Sequence, residues 1–169
     1  MTRSARLVAA ALLTLVLAGC ATTQRLSAAP DVHALLIAIR DDDRAAFEAH
    51  VDRRALEAQM QSRILDRTAN VSTEWKALAV LLAGPVSRVA SDVFVRPEVF
   101  RAVAEYYGYR PGTPIPNSLY VAAALRALPD GRVCAARKHG ECLLTFADEG
   151  GTWRLVGFDG DAAMLRMKR

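Results

Sequence analysis

The sequence predicts an α+β domain, with N-terminal helices followed by a small antiparallel sheet of about three strands packed on them. Three observations predict it. Apolar residues recur at three- and four-residue spacing from Val32 to Tyr107, the period of amphipathic helices. From Arg132 to Phe158 the character changes to short runs rich in strand formers. Lys138-His139-Gly140 and Asp148-Glu149-Gly150-Gly151 join those runs by turns too short for anything but antiparallel pairing.

The chain opens with a leader. Arg3 and Arg6 precede the apolar or small residues Leu7 to Ala18, broken by Thr14, a stretch short of the about 20 residues a bilayer needs. The run Leu17-Ala18-Gly19-Cys20 resembles the lipobox of bacterial lipoproteins. That resemblance implies removal of residues 1–19, diacylglycerol on the Cys20 sulfur, and a further acyl chain such as palmitate on its new amino group. Two or three chains hold firmly, since each buried methylene contributes about 0.8 kcal/mol. Ala21 rather than Asp after the cysteine implies the outer membrane by the same resemblance, facing the periplasm. The partner expected first is therefore the membrane itself.

Residues 20–29 read as the lipidated cysteine and a polar, small-residue tether, Ala21 to Ala29, reaching at most about 30 Å when extended. One α+β domain is expected over 30–160 and a basic tail over 161–169. Pro30-Asp31 opens the first helix of the domain, with Asp31 as N-cap and Val32, Leu35, Leu36 and Ile39 on its apolar side. Asp41-Asp42-Asp43 ends it and caps a short second helix from Arg44 to about Val51. Asp52 caps a third, which runs to about Thr68 with Leu56, Met60 and Ile64 in one stripe. A fourth starts near Thr73 and continues to Phe94. Residues 77–83 are apolar all round, which predicts burial on most sides, and Pro85 predicts a kink or a split. Pro97, Glu98 and Gly108 frame a fifth. Tyr109 to Asn117 is a proline-rich loop. Leu119 to Leu128 reads as helical with Ser118 as cap, although Tyr120-Val121 leaves a strand open. Pro129-Asp130-Gly131 is a turn. Three strands follow, Arg132 to Ala136, Cys142 to Ala147 and Trp153 to Phe158.

Without residues 1–19 the chain has 150 residues, enough for one hydrophobic core. Its formal charge falls from +4 to +2 because Arg3 and Arg6 leave with the leader. The remaining bases alternate with acids and form no stripe with aromatics, so no nucleic-acid partner is expected. Cys134 and Cys142 stand eight positions apart around a turn. In an exported chain such a pair oxidises across the hairpin, worth about 2–3 kcal/mol for so small a ring. A rival reading makes Cys134, His139 and Cys142 metal ligands, but it lacks a fourth ligand and a C-x-x-C pair. No metal or cofactor is expected.

Three stretches carry a second resemblance. They are Ala34 to Arg40 continuing through Asp43-Arg44-Ala45-Ala46-Phe47 to Val51-Asp52-Arg53-Arg54-Ala55-Leu56; Leu82-Ala83-Gly84-Pro85-Val86 with Val95-Arg96-Pro97-Glu98; and Trp153-Arg154-Leu155-Val156-Gly157-Phe158. Together they resemble a bacterial envelope family known as a domain of unknown function. The resemblance implies a helix-then-sheet domain similar to the cone-shaped nuclear-transport-factor-like folds, and no activity. Family members usually carry an aromatic or apolar residue where Arg53 stands, an arginine where Glu57 stands, and Leu-Pro where this chain has Asp159-Gly160.

No nucleophile elbow, phosphate-binding loop, dinucleotide fingerprint or His-Glu-x-x-His is present. His33, in the first turn of its expected helix, His50 and the turn residue His139 have no acid or nucleophile at catalytic spacing. The expectation is therefore a non-enzymatic module that binds an envelope protein or a small apolar or glycan ligand. The alternative is a hydrolase or isomerase using an Asp–His pair, with Asp52 and His50 in view, inside a cone-shaped cavity. Trp75, Tyr106, Tyr107, Tyr109 and Trp153 are the candidate contact residues; their rings either line a cavity or fill the core.

Overall fold

The computed structural model describes residues 3–67, 73–106, 108–136 and 140–160, with the backbone alone at 3–20, 67, 73–79, 81–83 and 90. Within them six helices precede four strands. The helices are α1 (Arg3–Asp41), α2 (Arg44–Ala49), α3 (Arg53–Arg67), α4 (Thr73–Phe94), α5 (Pro97–Tyr106) and α6 (Ser118–Ala124). The strands are β1 (Leu125–Ala127), β2 (Val133–Ala136), β3 (Cys142–Glu149) and β4 (Thr152–Phe158). They form one antiparallel meander in the order β1-β2-β3-β4. The fold is α+β, as expected, with one strand more than the sequence suggested.

That extra strand resolves the open reading of 119–128. Asn117, not Ser118, is the N-cap, accepting from the Tyr120 N–H. The helix stops at Ala124, and Leu125 enters extended backbone to pair with Ala135. Leu125 is buried, so burial of one apolar side chain on the sheet face decides where the helix gives way.

The N-terminal expectation changes most. Asp31 caps nothing, because α1 runs without a break through Pro30 and the expected tether, residues 21–29. Ala28 and Ala29 are buried in the core, so the packed helix starts before residue 30. His33 lies in mid-helix rather than in a first turn. Residues 1–2 of the expected leader and the whole tail, 161–169, lie outside the described residues.

The acidic triplet divides its work. Asp41 pairs with Arg40 at 2.6 Å. Asp42 takes the left-handed backbone that ends α1, at φ 60°, and the Asp43 N–H returns to the Ala38 carbonyl at 3.0 Å. Asp43 then accepts from the Ala46 N–H and starts α2. Asp52 does the same for α3 through the N–H groups of Arg54 and Ala55. Gly108, at φ 95°, closes α5: its N–H bonds Glu105 and that of Tyr109 bonds Ala104. Gly150 and Gly151, both at positive φ, make the two-residue turn between β3 and β4.

The core lies where α1 crosses the sheet. Leu35, Phe47, Val133, Phe146 and Leu155 are its fully buried large side chains. Phe47, Phe100 and Phe158 form a row of tilted rings with centroids 5.4 and 5.7 Å apart. Each such contact adds about 0.5–1.5 kcal/mol beyond area burial. Cys134 and Cys142 are disulfide-bonded, with Cα atoms 5.6 Å apart, tying β2 to the start of β3. Both thiolates are thereby consumed, which overturns the metal-ligand reading; His139 lies outside the described residues.

Leu155 is 0 % exposed and central to this packing. Leu155→Ala is expected to cost about 2–5 kcal/mol in urea unfolding of the disulfide-intact chain. A loss below about 1 kcal/mol would place the core elsewhere.

Candidate functional site

The expected contact aromatics do not converge. Trp153 is buried in the core. Tyr106 is exposed at the end of α5, and the Tyr109 hydroxyl donates to the Thr113 carbonyl of its own loop at 3.4 Å. Tyr107 and the Trp75 side chain lie outside the described residues, as does the Cys20 side chain, whose backbone belongs to α1. Two other places gather the groups that function could use.

The first is the outer edge of β4. An edge strand exposes a row of N–H and C=O groups that must find partners. Here the helical half supplies them. The Trp153 N–H donates to Asp31 Oδ2 at 2.8 Å, the Leu155 N–H to the His50 carbonyl at 2.9 Å, and the Phe158 N–H to Gln59 Oε1 at 2.9 Å. The Leu155 carbonyl accepts from the Asp52 N–H at 3.0 Å, completing a parallel bridge between Val51 and Leu155. A bulge shifts the register between Thr145 and Phe146, so Leu155 faces Phe146 while Gly157 faces Thr145. The extra residue changes parity along the strand, and Phe158 rather than Gly157 turns its N–H outward.

This edge brings ionisable groups together. Asp31 Oδ1 lies 3.8 Å from His50 Nδ1, too far for a hydrogen bond. His50 Nδ1 is buried and has no hydrogen-bond partner among the described residues. The carboxylate–imidazole pair thus joins Asp31 to His50, not Asp52 to His50. One Asp31 oxygen is already engaged by the backbone of β4. General-base chemistry needs a nucleophile bonded to the imidazole, and among the described residues the ring bonds none. Beside it, partial burial and the neighbouring Asp52 raise the Glu149 carboxyl above the usual range, with Arg154 opposing. No group of three or more His, Cys, Asp or Glu among the described residues is placed to hold a metal ion.

The second place is α4. Val86, Val89 and Val93 are 49, 65 and 50 % exposed. With Pro85 and Phe94 they line an open, almost wholly apolar groove of about 440 Å³. Val80 is exposed as well. The burial expected from residues 77–83 is not met at Val80, the other side chains of that stretch lie outside the described residues, and Pro85 does not split the helix. The side turned inward is polar and small: Ser87 and Ser91 are buried, and Ser87 bonds the Gly84 carbonyl at 2.9 Å. The serine pair one turn apart was the sequence signal for this inversion.

Arg53 explains why serines fit inside. Its guanidinium donates to both oxygens of Glu48, to the Ser91 carbonyl at 3.3 Å and to the Val95 carbonyl at 2.7 Å. It satisfies carbonyls at the C-terminal end of α4, where a cation also meets the negative end of the helix dipole. A small neighbour leaves room for that fork. Its hydrogen bonds hold the Glu48 carboxyl below the usual carboxylate range, and Arg53 itself is raised.

The model of a family described as a protein of unknown function (DUF2939) matches residues 13–103, from the apolar part of α1 into α5. The first two resembling stretches lie within this match, and the closing Trp153–Phe158 lies beyond it. No curated protein and no solved structure matches the chain. Among the described residues, no helix is long and apolar enough to cross a membrane.

Two carboxyls with opposite shifts predict opposite pH behaviour. The Glu48–Arg53 pair binds protons more weakly folded than unfolded, so its contribution is present above the ordinary value of 4.5 and is lost as pH falls through the lower folded value. Arg53→Met is expected to cost about 1–3 kcal/mol at neutral pH, a gap that narrows in acid. A gap constant with pH would refute the pairing. Glu149 holds its proton more tightly folded, so its favourable contribution, full at low pH, is lost as pH rises through the folded value. Glu149→Gln is expected to raise the melting temperature at neutral pH but not in acid; a drop at neutral pH would contradict this.

Proposed function

The chain belongs to the DUF2939 family, whose description assigns no activity, and we propose that it is a non-enzymatic interaction module tethered as a lipoprotein. In this reading Cys20 carries the acyl chains and the domain sits at the periplasmic face of the outer membrane. It takes a partner protein or a small apolar ligand on its surface. The observation that carries the binding role is the apolar groove of Pro85, Val86, Val89, Val93 and Phe94 left open on α4. An open apolar strip of this kind offers side chains on which a partner can bury surface. The lipobox-like Leu17-Ala18-Gly19-Cys20 supports the anchor, and the Cys134–Cys142 bond is in keeping with an oxidising compartment. The helix-then-meander order supports a likeness to nuclear-transport-factor-like folds.

A second reading, a hydrolase or isomerase, is favoured by one observation, the Asp31–His50 approach at 3.8 Å. It requires a substrate hydroxyl or water to complete what the pair lacks.

Intact-mass analysis of the native protein tests the anchor. The expected species begins at Cys20 and carries two or three acyl chains; an unmodified chain retaining residues upstream of position 20 would overturn it. Turnover of an ester or cell-wall substrate that His50→Ala abolishes, with the melting temperature unchanged, would overturn the non-enzymatic role in favour of the second reading.

A further inference from the structure

We propose that the Cys134–Cys142 bond has a reactive end: Cys142 is the sulfur that exchanges with an external disulfide, and Arg126 is the positioning residue that holds it as a thiolate. Three strands bring these side chains to one face of the sheet. Arg126 of β1 stands opposite Cys134 of β2, and residues opposite each other in paired strands share a face. Cys134 in turn faces Thr145, so by strict alternation Cys142, three positions earlier, would point to the other face. A bulge corrects the parity: Ala136 pairs with Cys142 instead of Leu143. The Arg126 Nη2 group then donates to Cys142 Sγ at 3.2 Å. Among the described residues no carboxylate lies within ion-pair distance of Arg126.

The two sulfurs are not equivalent. Cys134 is 0 % exposed, whereas Cys142 is half-buried. Exchange passes through a mixed disulfide and requires access to the sulfur that carries it, so the mixed disulfide forms on Cys142 in both directions of the reaction. A disulfide sulfur is a weak acceptor and gives the guanidinium little. A thiolate at the same place meets it as an opposite charge. Arg126 therefore favours the ionised form of Cys142 once the bond is open, and the thiolate is the nucleophile. Cys142 attacks one sulfur of the external disulfide, forms a mixed disulfide with it and releases the other half as a thiolate. Cys134 gives its proton to water and attacks the Cys142 sulfur, which releases the second half. The protein loses two electrons and two protons, and the external disulfide becomes two thiols.

The test uses the reduced full chain and hydroxyethyl disulfide, an uncharged probe, with adducts located by peptide mass so that Cys20 is counted apart. Near neutral pH the Cys134→Ser chain, which keeps Cys142, should react about tenfold faster than the Cys142→Ser chain, which keeps Cys134. Adding Arg126→Met to Cys134→Ser should slow the reaction about three- to tenfold near pH 6, where the thiolate fraction limits the rate. Near pH 10, above the ordinary thiol value of about 8.5, the same substitution should cost nothing, because the thiol ionises unaided. Arg126→Lys should keep most of the rate at both. A merely structural role for Arg126 would leave the same loss at both pH values. Should a serine variant fail to fold, the unmutated chain, reduced, exposed briefly to the probe and quenched in acid, should carry its adduct on Cys142. Equal or faster reaction at Cys134, an adduct on Cys134 of the unmutated chain, or an Arg126→Met effect that does not change with pH would overturn the proposal.

Discussion

Backbone exchange between the His50–Asp52 segment and Leu155 joins the helical half of the molecule to its sheet. Two main-chain hydrogen bonds, at 2.9 and 3.0 Å, join residues more than a hundred positions apart. Antiparallel strands form locally, by turns, and need little from the rest of the chain. The helices need a surface on which to bury their apolar sides. The Leu155 bridge supplies the register between the two, and Asp31 and Gln59 extend it along the same edge. Because Asp52 both donates to Leu155 and caps α3, the direction in which α3 leaves is fixed at the point of contact with β4. The neighbouring carboxyls and imidazole gather there as a consequence of edge sealing.

Elements governed by local chemistry were legible in the residues. Asp43 and Asp52 cap the helices that their positions announced, Gly108 stops α5, and Gly150-Gly151 turns the last hairpin. The Cys134–Cys142 pairing followed from spacing and turn. Features governed by long-range contacts were not legible. Asp31 looks like a cap because it follows a proline, yet its carboxylate accepts from Trp153, 122 positions away. Pro30 is accommodated inside α1 because packing of Ala28, Ala29 and Val32 against the core outweighs one missing backbone bond. Leu125 becomes strand for the same kind of reason.

The α4 helix shows the limit of hydropathy most clearly. A rule that apolar faces turn inward would bury its valines and expose its serines. The observed helix does the reverse beyond Pro85, because the inward side must admit the Arg53 fork and the carbonyls it caps.

The unbroken course of α1 has a mechanical consequence for a chain held at Cys20. An extended linker would let the domain wander; eight helical residues from Cys20 to Ala28 advance only about 12 Å. That standoff is fixed in length and in azimuth, because each turn of the helix also sets which side of the domain faces the lipid. Were the chain held at Cys20, attachment through such a rod would act as a rigid stalk that sets the height of the domain above the lipid.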